Sequence, residues 1–207
     1  MLPIWIRAYR LIFGVMAFIA VFFNINHYND PNLWTHFTYE SNLIAGVVLI
    51  LGATVFGRYR NPAWWDVIRG IAVISLLLTG VVYATLLDGF YNPFTTSEHT
   101  WASSVMHQLI PVVMLLDILI VPLGPRTPRW NVVLYIIFPL VYLSLTLLRG
   151  HETGYYPYDF LDPGEYGNGY TGVLTICGAL LLAFIATGLA IIGYSRVRRT
   201  PGRLMYG

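Results

Sequence analysis

The sequence predicts an all-α integral membrane protein, a bundle of six transmembrane helices with both chain termini in the cytoplasm. Three observations carry that prediction. Six apolar segments are each long enough to cross a hydrocarbon core of roughly 30 Å, which takes about 20 residues. All 12 basic residues are arginines, and they sort almost perfectly between alternate connections. The six tryptophans, Trp5, Trp34, Trp64, Trp65, Trp101 and Trp130, fall within a few residues of segment ends, where amphipathic rings anchor at lipid headgroups.

The segments run approximately 5 to 25, 36 to 56, 66 to 87, 101 to 122, 131 to 149 and 170 to 194. The first is too long for a signal-peptide core and lacks a small-x-small cleavage site, so it is expected to be a retained signal anchor. Arg7 and Arg10 lie at its start. The second opens with Thr38, Ser41, Asn42 and Ala45, a spacing of three, four and seven that gathers small polar groups on one helical face. Arg58, Arg60 and Arg69 surround the connection to the third. Pro111 in the fourth and Pro139 in the fifth each remove an amide donor, and each should bend its helix. Arg126 and Arg129 lie between these two segments. In the sixth, Ala179, Ala183 and Thr187 recur every fourth residue, a stripe that would let a neighbouring helix come close.

Arg196, Arg198, Arg199 and Arg203 follow the sixth segment, and only Arg149 departs from the alternation. The positive-inside rule then places the intervening connections outside. Those connections hold Asp30, Asp88, Glu98, Glu152, Asp159, Asp162 and Glu165, so the outer face is acidic. A net charge of +2 describes two oppositely charged faces and gives no reason to expect nucleic acid. Period-2 alternation is absent from the apolar runs, which excludes a barrel. No internal repeat or low-complexity linker appears, and residues 1–207 read as a single transmembrane domain of the cell membrane.

Charge within hydrocarbon costs about 2.5 to 3.5 kcal/mol at a helix centre on insertion scales, so ionisable residues inside the segments mark candidate sites. Glu40, His107 and Asp117 qualify. On a straight helix Asp117 lies about 15 Å below His107 and about 80° round the axis, so the two do not touch. Asp117 is open to two readings, a proton relay or a hydrogen-bonded packing residue. Thr38 and His107 occupy the same outer layer. If the second and fourth helices are neighbours, a hydroxyl and an imidazole come within hydrogen-bond reach, the minimum for a base-activated nucleophile. The competing reading is structural, since membrane threonines bond their own backbone and a single histidine fills a polar packing role.

Cys177, the only cysteine, sits inside the sixth segment, which excludes an intramolecular disulfide. His27, His36, His99, His107 and His151 all lie towards the outer half, yet no His-x-x-x-His or Glu-x-x-His pair occurs within a helix. No metal or cofactor is expected. The last outer connection, residues 150–169, crowds Tyr155, Tyr156, Tyr158 and Phe160 around Pro157 and Pro163, as an interfacial anchor or as a lid over an outward pocket.

Three blocks resemble the bacterial six-transmembrane Pr-six-Pr family, which is similar to the androgen-induced and androgen-dependent transmembrane proteins of animals. The second segment reads Phe37-Thr38-Tyr39-Glu40-Ser41-Asn42-Leu43, the fourth carries His107, Pro111 and Asp117, and the outer loop reads Tyr156-Pro157-Tyr158-Asp159-Phe160-Leu161-Asp162 with Gly169-Tyr170 after it. The animal relatives hydrolyse fatty acid esters of hydroxy fatty acids with an intramembrane threonine and a histidine. The resemblance therefore implies Thr38 as nucleophile and His107 as base. The animal proteins carry an aspartate-containing sequence where this chain has Ser41 and Asn42.

On that reading the chain is a lipid ester hydrolase whose substrate arrives laterally from the bilayer. Asn42, about one turn deeper than Thr38, is a candidate oxyanion donor. Ser41 and Asp117 are supporting candidates from their segments, and Asp162 and Asp88 from their place near the outer face. The alternatives are a small transporter or proton-coupled protein using Glu40, Asp117 and His107, and a lipid-binding protein without chemistry. Membrane lipids are the expected partners, and oligomeric state is not legible.

Overall fold

A computed structural model describes residues 1–58, 61–87, 89, 100–124, 127–165 and 168–198. Arg60, Asp88, Glu98, His99, Arg126, Arg199 and Arg203, used above, lie outside the described residues. The regular structure of the described residues is all helical, with no strand among them. Its main helices are α1 (Ile4–Tyr28), α2 (Phe37–Ala53), α3 (Ala63–Leu86), α4 (Trp101–Ile120), α5 (Asn131–Thr153) and α6 (Tyr170–Val197). Five of these, all but α2, are long and apolar enough to cross a membrane.

The expected second span, 36 to 56, is shorter in the structure. α2 has 17 residues, a length of about 25 Å. Two arginines of α1 explain where it stops. Arg7 Nε donates to the Ala53 carbonyl at 2.7 Å, and Arg10 Nη1 donates to that of Gly52 at 2.8 Å. The last carbonyls of a helix have no intrahelical donor, and a cation there both fills them and opposes the helix dipole.

Consecutive helices run in opposite senses. Arg10 beside Gly52 and Arg69 beside Asp117 mark one end of the bundle, here called proximal. Asn24 beside Tyr39 and Thr100 marks the other, distal end. α1 and α2 cross closely at Gly14 and Gly46. A β-carbon on either would meet the other's carbonyl oxygen, at 3.1 and 3.2 Å.

Two sequence expectations change in the packed structure. Trp65 is not an interfacial anchor but a core residue, 1% exposed and stacked on Phe56 at 4.0 Å, whereas the other five tryptophans are 44–61% exposed. The Ala179, Ala183 and Thr187 stripe does not make a helix contact: Ala179 and Ala183 are exposed, and Thr187 bonds back to the Ala183 carbonyl. The buried face of α6 lies one residue, or about 100°, further round, on Phe184, Gly188, Ile191, Ile192 and Ser195. Gly188 supplies the close approach, because a β-carbon there would sit 2.8 Å from Val132 of α5.

Each internal proline follows an irregular turn of its helix. α5 breaks at Ile136, between the helical stretches Asn131–Tyr135 and Ile137–Thr153, just before Pro139. α4 widens into a π-turn over Val105–Leu109, just before Pro111. The connection after α5 folds back over the distal end. A short 3-10 turn, Asp159–Leu161, buries Phe160 and Leu161 against Val82 of α3 and Val173 of α6.

Candidate active site

A buried polar seam crosses the distal half of the bundle. α2 contributes Thr38, Ser41 and Asn42; α3 contributes Ser75, Thr79 and Tyr83, spaced four residues apart on one face; α4 contributes Ser103 and His107. Such groups in an apolar bundle hold helices together through hydrogen bonds, and most of this seam does so. Ser41 Oγ donates to the Thr38 carbonyl at 3.1 Å and lies 2.9 Å from Thr79 Oγ1, which in turn reaches the Ser75 carbonyl.

Thr38 and His107 meet, with Thr38 Oγ1 3.2 Å from His107 Nε2. Thr38 occupies the first turn of α2, so its side chain leaves the helix at the distal end. His107 sits in the middle of the π-turn. Pro111 has no amide to offer and its ring crowds the carbonyl four residues before it, so the helix takes in an extra residue there, as π-turns at functional sites often do.

The other imidazole nitrogen sets the tautomer. His107 Nδ1 lies 2.9 Å from the Ser103 carbonyl oxygen and 3.2 Å from Ser103 Oγ. A carbonyl only accepts, so Nδ1 carries the hydrogen and Nε2 presents its lone pair to the Thr38 hydroxyl. The ring of Tyr83 stacks on the imidazole at 3.7 Å and 18° and fixes its plane. The arrangement can draw a proton from Thr38, with Ser103 and Tyr83 holding the base in place. Sequence reasoning named neither. The signals were there: Ser103 is four residues before His107 on a helix, and Tyr83 ends the polar stripe from Ser75.

Beside Thr38 opens an apolar, partly open pocket. Phe37 and Thr38 of α2, Val82 of α3, Leu143 of α5 and Leu180 of α6 line it. Tyr158 and Phe160 of the folded-back loop cover it. The loop is therefore a lid. It is fastened by Tyr158 against His36 (5.4 Å, edge-on), by the stacking of Tyr158 on Phe160 (5.4 Å), and by the Thr38 amide, which donates to the Tyr158 hydroxyl at 3.4 Å. Burial pushes the Tyr158 phenol above its ordinary range.

No known protein family, curated protein or solved structure matches this chain. The residues themselves carry the functional argument.

The remaining candidates lie elsewhere or are otherwise engaged. Asn42 gives its side-chain amide to the Thr38 carbonyl at 2.8 Å and the Met106 carbonyl at 3.2 Å, which leaves neither amide hydrogen for an oxyanion. Asp162 accepts from the Gly164 amide at 2.7 Å and closes a local turn of the lid. Asp117 is at the proximal end, in a buried charge cluster. Arg10 grips both its oxygens, at 2.5 and 3.1 Å, and Arg69 Nη2 adds a third bond at 3.1 Å. Arg69 also reaches Asp66 at 3.7 Å, so two cations and two anions balance. Arg10 and Arg69 lie near segment ends in the sequence, yet both are buried and point into the bundle. Glu40 is half-buried on α2. Among the described residues, no three His, Cys, Asp or Glu side chains gather as a metal site.

Proposed function

We propose that this chain is a six-span protein of the cell membrane, with both termini cytoplasmic, that hydrolyses an acyl ester of a lipid with Thr38 and His107. The 3.2 Å approach of Thr38 Oγ1 to His107 Nε2, with Thr38 lining an apolar pocket, carries this reading. The resemblance to the Pr-six-Pr family and the arginine distribution support it from the sequence side. α2, at about 25 Å, spans a thinner bilayer region or is completed by its capping arginines.

In the first step the Thr38 hydroxyl passes its proton to His107 Nε2 while Oγ1 bonds to the ester carbonyl carbon, and the carbonyl π pair moves onto oxygen. Collapse of that tetrahedral species breaks the bond to the alcohol oxygen, which takes the proton from Nε2 and leaves as the free alcohol. Water then attacks the acyl-threonine, gives its proton to Nε2, and the carboxylic acid departs as the Thr38 hydroxyl is restored. The Ser103 carbonyl stabilises the imidazolium formed in each half. The pocket takes the acyl chain, each buried methylene adding about 0.8 kcal/mol at most.

The transporter alternative loses its main carrier, since Asp117 is held by two arginines. The test is hydrolysis of long-chain acyl esters by the purified full chain in detergent. Thr38→Ala should abolish turnover, by about a thousandfold or more, and His107→Ala should cost about a hundredfold to ten-thousandfold. A wild type that binds acyl chains but turns over none of them would leave a lipid-binding protein instead.

A further inference from the structure

Attack by Thr38 creates a negative oxygen inside an apolar pocket, where an unsolvated charge is costly and oriented donors are worth most. Asn42 is committed to two carbonyls, and His107 is the base. The polar side chains lining the pocket beside Thr38 are Thr79, Tyr142 and Tyr158. Thr79 is engaged with Ser41 and Ser75, and the Tyr142 hydroxyl donates to the Thr35 carbonyl at 2.9 Å.

We propose that Tyr158 is a catalytic residue of this site, its phenolic hydrogen receiving the charge that develops on the ester carbonyl oxygen, with the Thr38 amide as the second donor. The inference rests on the hydrolase reading. Tyr158 oxygen lies 3.4 Å from the Thr38 nitrogen, so both donors border the same small volume as the nucleophile. Their mutual bond is long, and a carbonyl oxygen replaces it with two better ones. The Thr38 amide, in the first helical turn, has no intrahelical acceptor to give up. The phenol is held in place by Phe160, His36 and the burial of Leu161, so little reorganisation accompanies the reaction. A phenol is protonated through the neutral range, as a donor must be, and burial, outweighing the opposing influence of Thr38, moves it further from ionising.

The experiment compares the full-length wild type with Tyr158→Phe, which keeps the ring and its stacking. Expected is a fall in kcat of about a hundredfold to a thousandfold with KM changed less than about threefold. A long-chain trifluoromethyl ketone, which forms a tetrahedral oxyanion on Thr38, should lose affinity by a similar factor, while the matching ether, which forms none, should bind as before. Equal weakening of both ligands would make Tyr158 a packing residue of the lid, and an unchanged kcat would remove it from the chemistry; either overturns the proposal alone when Thr38→Ala is inactive. Absence of turnover in the wild type would overturn the hydrolase reading and this inference with it. If Tyr158→Phe does not fold, fluorotyrosine at position 158 replaces it. The more acidic phenol should tighten the ketone selectively, and no change would sink the proposal.

Discussion

Asn42 of α2 reaches the carbonyl oxygen of Met106, in the π-turn of α4, at 3.2 Å. In an α-helix that carbonyl would accept from Ile110, but the Ile110 amide goes instead to Val105. In the π register the donor would be residue 111, which is proline and has no amide hydrogen. Met106 is therefore left with a buried acceptor, and Asn42 fills it from the neighbouring helix. The bond that secures the histidine turn and the proline that creates the turn are one arrangement.

A double-mutant cycle tests this. Asn42→Ala should destabilise the protein by about 1–3 kcal/mol, the cost of an unpaired buried carbonyl. In a Pro111→Ala background, residue 111 regains an amide, and the same substitution should cost less by at least about 0.5 kcal/mol. Denaturation of the four proteins in detergent gives the coupling directly, and strictly additive losses would refute it.

Asp117 bears on stability rather than turnover. Asp117→Ala leaves Arg10 and Arg69 buried without their carboxylate, at a cost of about 3–5 kcal/mol. Catalysis in the fraction that folds should be unchanged, because on the helix the charge cluster is about 15 Å from His107. The thermal midpoint and the turnover per folded molecule separate the two effects. A proton relay through Asp117 would show the reverse pattern.

The helices were legible in the sequence because a backbone in lipid must bond internally, and long apolar runs permit one solution. The closeness of Thr38 and His107 was legible because both are polar groups at one depth in such runs, whereas their roles as nucleophile and base rest on the resemblance. The burial of Arg10 and Arg69 was not legible for a physical reason: counting charges near span ends cannot tell a side chain turned towards solvent from one turned into the bundle. The α6 stripe failed by a single residue, which on a helix is about 100° of face. Tyr158 carried no periodic signal, since its position depends on how the loop after α5 folds back onto Val82 and Val173.

Ser103 offers two groups to His107, and they differ in weight. The carbonyl at 2.9 Å fixes the tautomer, and the hydroxyl at 3.2 Å shares the same nitrogen. Ser103→Ala keeps the carbonyl, so ester hydrolysis should fall by less than about tenfold, far short of the hundredfold or more expected for loss of the base. A collapse of activity comparable to His107→Ala would show that the hydroxyl, not the backbone, orients the ring.

The lid depends on a glycine in the last turn of α5. The ring of Tyr156 lies against Gly150 so closely that a β-carbon there would overlap it. Gly150→Ala must push Tyr156 outward and, with it, the Phe160 and Leu161 cluster it packs on, at about 1–3 kcal/mol of overpacking. Two other glycines serve as controls. Gly154 caps α5 with φ +72°, so Gly154→Ala carries a backbone cost of about 1–2 kcal/mol without touching the ring. Gly178 of α6 has open space around it, and Gly178→Ala should be neutral or stabilising by up to about 1 kcal/mol. Hydrogen exchange at the Thr38 amide, whose acceptor is Tyr158, reports on lid closure. It should accelerate in Gly150→Ala and stay unchanged in Gly178→Ala. If Gly150→Ala leaves both the melting temperature and that exchange rate at wild-type values, Tyr156 yields freely, and the lid is held by Tyr158 and Phe160 alone.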